Sequence, residues 1–397
     1  MLHCFRSICL SLFLVYLFIN PSVAQQWTNY TNVSPANSIA VDQQDNVWIG
    51  GSGITKFDGT NWTSYLNTYI RIVAIDAQGD VWAGTDGLGL YRYHAGSWIQ
   101  YTMDDGLVYN RVFSIVFDSL GNTWVGCADP MGSQQGGVSK FSGSTWTNYT
   151  IQDGLISNYV MKIAIDHQGH FWFGTRDGIS FFDGTNWTNY TTADGLVFPE
   201  VCSILIDAAN HKWFGTYGGG LSEFDDTNWI THSQGSGNYY WDGLEDESGN
   251  LWFGTADGIR MYDGSSWTTY TTSDGLIENH VYSIDQNSLG EFWFGTFDGI
   301  SKLSFLPLGL PTVPEKTQDF NVFPMPATST MQITLPANFS GTTSISLKNM
   351  QGQMVYQNLV SPASFVSLDV SRFAEGLYLL SITHESSTRM QKVVIAR

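Results

Sequence analysis

The chain has 397 residues, which at roughly 150 residues per domain corresponds to two or three domains. Charged residues make up 13% and aromatics 15%, with 41 Gly and 15 Trp, a profile that excludes disorder and helical bundles and leaves a turn-rich β protein. The net charge of −19 comes from residues 25–305, which hold 10 Lys/Arg against 31 Asp/Glu, so phosphate backbones are repelled and nucleic acid is not an expected partner.

Residues 1–24 read as a secretory signal, with Arg6, an apolar run over 8–19 and the small-residue cleavage site Ser22-Val23-Ala24. Twelve apolar residues are too few for a bilayer span, which takes about twenty, and no other segment comes near that length. Export without a transmembrane segment in the mature chain is expected. Cys4 and Cys9 leave with the signal, and Cys127 and Cys202 fall in non-neighbouring repeats, where pairing is not expected.

From residue 25 onward the sequence repeats. Trp-x-Gly occurs seven times, at Trp48, Trp82, Trp124, Trp172, Trp213, Trp252 and Trp293, with a mean spacing of 40.8 residues. That period fits a four-stranded propeller blade of about 40–45 residues. In the fourth copy Gly and Asp punctuate four strands, over 160–165, 171–175, 179–182 and 187–190. The Gly after each Trp predicts a close approach of neighbouring backbones. A second series marks the outer strand: Trp27, Trp62, Trp98, Trp146, Trp187, Trp229 and Trp267. It starts one element before the first Trp-x-Gly and is missing after the last. Residues 26–30 are therefore expected beside 302–305, closing a seven-bladed β-propeller with its own N-terminal strand and removing its open edges.

The repeats resemble the two-component regulator propeller family, on Val112-Phe113-Ser114-Ile115 with Asp118, Gly121 and Trp124-Val125-Gly126, and again on Val201-Cys202-Ser203-Ile204 with Asp207 and Trp213-Phe214-Gly215-Thr216. In that family the propeller is often the periplasmic sensor half of a membrane histidine kinase; with no transmembrane helix or kinase segment read in these 397 residues, the signalling role is not expected to carry over.

Loops from each fourth strand to the next first strand should gather at one mouth, where ligands bind. Asp-Gly-Leu recurs there at Asp105, Asp153, Asp194 and Asp274 and reads as a structural turn. Residues that break the repeat are the candidate ligand contacts: Tyr69, Tyr109, Asn110, Arg111, Tyr159, Lys162, Glu200, Tyr239, Trp241 and His280. Trp241 belongs to neither Trp series and stands where other copies have Asn37, Arg71, Phe113, Met161, Cys202 or Tyr282. Aromatic faces beside carboxylates, amides and cations suit a glycan, with a protein ligand as the other reading. The streptogramin lyases are similar seven-bladed propellers; that resemblance implies His280 as acid or base, with Glu200 or Glu278 as partner. No zinc spacing, nucleophile elbow or phosphate loop is present, and no cofactor or metal is expected.

The composition changes after residue 305. Residues 306–318 form a Pro-rich linker, and 319–397 carry short alternating strands, over 331–335, 344–348, 354–357, 364–368, 377–383 and 390–395, that predict a small Ig-like β-sandwich. This tail resembles the C-terminal sorting domain of the type IX secretion system of Bacteroidetes. The matching residues are Phe323-Pro324-Met325-Pro326, Met350-Gln351-Gly352-Gln353, Gly376-Leu377-Tyr378 and Lys392-Val393-Val394-Ile395. Met325 interrupts the usual Pro-Asn-Pro. The resemblance implies Pro324, Pro326, Gly352, Gly376, Tyr378 and Lys392 as sorting-motif residues, the type IX machinery as partner, and release or attachment at the cell surface.

Overall fold

The computed structural model describes residues 23–129, 135–232, 239–307, 320–335, 342–349, 353–361, 365–384 and 387–396. These are built of strands, with one short helical turn, Met103–Asp105, among the described residues. Residues 26–304 form one compact unit, and the strands from residue 321 onward belong to another. The predicted signal up to residue 22 and most of the linker lie outside the described residues.

Residues 23–307 make seven four-stranded sheets. Their first strands are Ala36–Val41, Ile70–Ile75, Val112–Phe117, Val160–Ile165, Val201–Ile206, Tyr240–Glu245 and Val281–Gln286. Each first strand packs against those of the sheets before and after it, and Ala36–Val41 packs against Val281–Gln286. In the fourth sheet the strands Val160–Ile165, Phe171–Thr175, Ile179–Phe182 and Trp187–Tyr190 fall where Gly and Asp punctuation put them. The seventh sheet takes its outermost strand, Val23–Tyr30, from the N-terminus, beside Ile300–Pro307. The first of these strands begins two residues inside the predicted signal, and the second runs two residues into the predicted linker.

One hydrogen-bond motif recurs in almost every sheet. Asp118 accepts the N–H groups of Leu120 and Asn122 on Oδ1 and the indole N–H of Trp124 on Oδ2, at 2.8–3.0 Å. One carboxylate thus closes the turn and anchors the buried ring six residues on. Asp42, Asp76, Asp166, Asp207 and Asp246 bond Trp48, Trp82, Trp172, Trp213 and Trp252 in the same way. The seventh sheet differs. Asn287 stands in place of Asp, its amide nitrogen donates to Glu291, and the buried Trp293 Nε1–H meets no acceptor among the described residues.

The N-terminal strand repeats the contacts of an ordinary outer strand. Asn148 donates to the Gly106 carbonyl (3.0 Å) and accepts from Ser139; Asn189 does the same with Gly154 and Ser180. Asn29 donates to the Gly275 carbonyl (3.0 Å) and accepts from Ser301 (2.7 Å). Tyr30 stacks on Trp293 as Tyr149 stacks on Trp124, with centroids 5.7 and 5.6 Å apart. The Gly of Trp-x-Gly also has the expected reason: a Cβ on Gly254 would lie 2.7 Å from the Val281 carbonyl oxygen of the next sheet, and one on Gly295 would lie 2.6 Å from that of Ala36.

The C-terminal unit has a three-stranded sheet (Asn321–Phe323, Thr330–Thr334, Phe365–Asp369) and a four-stranded one (Met354–Val360, Thr343–Asn349, Gly376–His384, Ser387–Ile395). One buried cluster draws on both, including Met331, Ile333 and Leu368 from the first and Leu347, Leu380 and Val393 from the second. The first and last sorting motifs meet. After exposed Pro324 and Pro326, the Ala327 N–H donates to Val394 and its carbonyl accepts from Ala396, at 2.8 and 3.0 Å. Gly376 starts its strand at φ 143°, the Tyr378 hydroxyl donates to the Ala374 carbonyl (2.8 Å), and Lys392 is exposed. Gly352 lies outside the described residues.

Trp124 and Trp293 are matched in their stacked tyrosine and in the lysine over the ring, and differ in the acceptor. Trp124→Phe is therefore expected to lower stability by about 1–2 kcal/mol more than Trp293→Phe in urea unfolding. Equal losses would refute the assigned role of the aspartate.

Candidate functional site

The first strand of every sheet carries the same irregularity. In the third sheet Val112 pairs with Cys127 and Ser114 with Gly126, so Phe113 has no partner of its own. The same skip falls at Asn37, Arg71, Met161, Cys202, Trp241 and Tyr282. A bulge leaves its extra residue out of the ladder and re-aims the side chain. These seven side chains line one cavity of about 340 Å³, together with Pro35, Tyr69, Lys162, Asp242 and Phe297. No two of the seven are the same residue type.

A second tier surrounds them, formed by the residue that precedes each first strand: Pro35, Tyr69, Arg111, Tyr159, Glu200, Tyr239 and His280. The carbonyls of Tyr159, Glu200 and Tyr239 accept the N–H groups of Arg176, Tyr217 and Ala256, so this tier is tied to the turns between second and third strands.

The fifth to seventh sheets contribute rings. Trp241 stacks with Tyr239 (5.8 Å, 14°) and His280 with Tyr282 (5.3 Å, 28°), while Tyr217 stands edge-on to Tyr239 and Trp241 at 4.8 and 5.5 Å. The Trp241 Nε1–H is buried and meets no acceptor among the described residues. An unpaired buried donor costs about 1–3 kcal/mol, so this indole sits at the site against a stability cost.

The second to fourth sheets contribute cations. Arg71 and Arg111 both direct Nε at one Asp86 oxygen, at 2.7 and 2.5 Å. The Arg71 guanidinium lies 4.6 Å from the Phe113 ring centroid, and Arg176 lies 5.8 Å from that of Tyr159. Burial pushes the Glu200 carboxyl up from its ordinary value, against the pull of the Arg176 guanidinium.

At the next level of the first strands, serines tie sheet to sheet: Ser38, Ser114 and Ser283 accept the N–H groups of Val73, Ile163 and Ile39, each at 3.0 Å. Lys162 and Asp242 replace serine in the fourth and sixth sheets and pair with each other at 2.8 Å. Asp242 also accepts the Ile284 N–H at 3.1 Å. Asp285, where other sheets have Ala or another aliphatic residue, accepts the Val41 N–H at 2.7 Å. Burial raises its carboxyl to about 6, and the neighbouring Asp242 charge adds to the shift. The Cys202 thiol, pushed up to about 12 by burial, donates to the Tyr240 carbonyl.

Of the residues singled out from sequence, Tyr69, Lys162 and Trp241 line the cavity, and Arg111, Tyr159, Glu200, Tyr239 and His280 form the tier around it. Asn110 is held within its own loop. Its side chain accepts the Met103 N–H as Asn158 accepts that of Ile151 and Asn279 that of Thr272, so it belongs to the repeat and holds a loop. Tyr109 is engaged with Asp129. Asp153, Asp194 and Asp274 each bond a Thr N–H three residues back, as expected of structural turns. Glu278 accepts the N–H groups of His280 and Phe297, and no carboxylate bonds the His280 ring among the described residues. Sequence reasoning passed over Arg71, Phe113 and Tyr282 as contacts, although each is the positional equivalent of Trp241.

Residues 321–396 match the family model for the secretion system C-terminal sorting domain, and residues 154–177 match that for the two component regulator propeller. Among curated proteins, none matches the sequence. Similar solved structures include the extracellular domain assigned to a hybrid two component system of B. thetaiotaomicron (19% identity, TM-score 0.61, covering 93% of this chain and 57% of that one). PorZ, an essential bacterial surface component of the type-IX secretion system of Porphyromonas gingivalis, is similar at 17% identity and TM-score 0.56, covering 93% of this chain and 60% of that one. Virginiamycin B lyase from Staphylococcus aureus, solved as a catalytically inactive variant with quinupristin, is similar at 16% identity and TM-score 0.60, covering 71% and 99%. The chain spans less than two thirds of the first two, and at these identities the likeness shows the fold alone. The chain carries a propeller of the two-component regulator type and a type IX sorting tail, and it is secreted or held at the cell surface. No helix among the described residues is long and apolar enough to cross a membrane.

The raised Asp285 carboxyl gives a test with a defined sign. The folded state holds this proton more tightly than the unfolded chain, so the contribution of Asp285 to stability falls as pH rises from about 4 to about 6 and is then level. Asp285→Asn keeps an acceptor for Val41 and removes the charge. The variant is expected to have the higher Tm at pH 8, with the gap closing as the pH is lowered to 4. A gap that does not change with pH would contradict this.

Proposed function

We propose that the seven sheets are the blades of one closed propeller, latched by the N-terminal strand and followed by an Ig-like sandwich. In this reading residues 1–24 are a signal, 25–305 the propeller, 306–318 a linker, and 319–397 the domain that directs outer-membrane translocation through the type IX machinery. The propeller is a recognition module that takes a saccharide in the mouth ringed by the seven bulged side chains. The observation that carries this is the contrast between position and identity. Every blade gives the same backbone device, and each supplies a different side chain to it. A merely structural position would converge on one residue type, as the Asp–Trp pairs do.

A cavity of about 340 Å³ sits at the low end of the range for small-ligand sites, about 300–1,000 Å³. Ring faces next to Asn37, Arg71 and Lys162 match a sugar's C–H faces and hydroxyl edges. On a glycan array the purified protein is expected to bind at least one saccharide class. Trp241→Ala is expected to weaken that binding roughly tenfold or more, and Trp241→Phe, which keeps a ring against Tyr239, to weaken it less. Absence of binding to any saccharide would overturn the reading in favour of a protein ligand.

A further inference from the structure

The ten Lys and Arg side chains of residues 25–305 divide into two populations. Lys56, Arg92, Lys140, Lys212 and Lys302 lie over tryptophan rings within the sheets, and Arg260 is buried over Tyr240. The other four, Arg71, Arg111, Lys162 and Arg176, are all at the mouth. In a propeller of such acidic composition this is where the functional cations are.

Their carboxylate partners are Asp242, Asp86 and, at longer range, Glu200, which feels the Arg176 guanidinium, so the surplus of positive charge lies at Asp86. Lys162 is matched by Asp242, and Arg71 and Arg111 share Asp86. Arg176 has no carboxylate within ion-pair distance among the described residues. Asp86 engages both arginines at Nε, which fixes their stems and leaves their terminal NH₂ forks without hydrogen-bond partners among the described residues. Arg71 is the one that lines the cavity, and it is about 31% exposed. Among the described residues, the only carboxylate lining the cavity is Asp242, already bound to Lys162. A guanidinium held by Nε with its fork free is the arrangement that accepts a carboxylate or sulfate edge-on through two parallel hydrogen bonds.

We infer that the saccharide taken by this mouth is an acidic one, its carboxylate or sulfate held by the Arg71 fork with Arg111 beside it and its ring against Trp241. This rests on the saccharide reading given above. Charge selects the ligand, and the aromatic wall contributes contact area that does not depend on charge. The two contributions are separable by experiment.

The probes are oligogalacturonate and its fully methyl-esterified form, which share the sugar backbone and differ in charge, with chondroitin sulfate oligosaccharides to separate sulfate from carboxylate. Binding is measured by calorimetry on the purified protein. The acid form, the sulfated form or both should bind, and removal of the charge should weaken binding roughly tenfold or more. Arg71→Gln should erase that preference while leaving the weaker, charge-independent binding in place, and Arg71→Lys should retain part of it. Residual binding that is still lost on Trp241→Ala reports a folded mouth in both variants. Equal binding of acid and ester, or an undiminished acid preference in Arg71→Gln, overturns the inference and leaves the saccharide reading standing. Failure of every saccharide on the array overturns both.

Discussion

Strand Val23–Tyr30 pairs with strand Ile300–Pro307, and the order of everything between them depends on that pairing. It brings together residues as far apart as Asn29 and Ser301, 272 positions along the chain. The entropy of joining such distant ends grows only logarithmically, adding about 2 kcal/mol over closure of one roughly 40-residue repeat. Against this stand Trp27 among Tyr270 and Phe294, Tyr30 on Trp293, and the Asn29 hydrogen bonds. Partial burial of these rings opposes that closure term. It also covers strand edges that would otherwise recruit another chain.

The seventh sheet, which receives the N-terminal strand, departs most from the repeat. Its Trp293 lacks the acceptor that six other sheets provide, and its Asp285 carries a carboxyl where the others carry an aliphatic group. Asp285 and Ser283 both accept N–H groups of the first sheet, from Val41 and Ile39. Local stability is given up at one tryptophan while the junction between the first and last sheets is reinforced. The mouth shows the same logic. Trp241 leaves its indole N–H unpaired, and Lys162 and Asp242 replace two serines of the sheet-to-sheet series with an ion pair.

The sequence was most informative where one residue type has one physical task. Gly and Asp ended strands in the fourth repeat residue for residue, because Asp caps its own turn and Gly takes the left-handed backbone that turn requires, as at Gly169 (φ 84°). The tail strands were legible to within a few residues, except Asn321–Phe323, which is too short to show alternation. The bulge was not legible. Val112-Phe113-Ser114 reads as ordinary alternation, and only the register of the partner strand shows that Phe113 is left out of it. That is why Trp241 stood out by residue type while Arg71, Phe113 and Tyr282, equal to it in position, did not. Asn110 is the converse case. Its repetition is visible only once the loops are aligned through Asn158 and Asn279.

The central claim is that a strand from the N-terminus completes the last sheet and so gives the seven bulged residues one common mouth. Native-state hydrogen exchange read by mass spectrometry addresses it directly. Backbone amides of residues 26–30 should be protected to the same degree as those of the equivalent outer strands Trp146–Tyr149 and Trp187–Tyr190. Exchange of 26–30 at the rate of an unstructured peptide, with the other two strands still protected, would contradict the account.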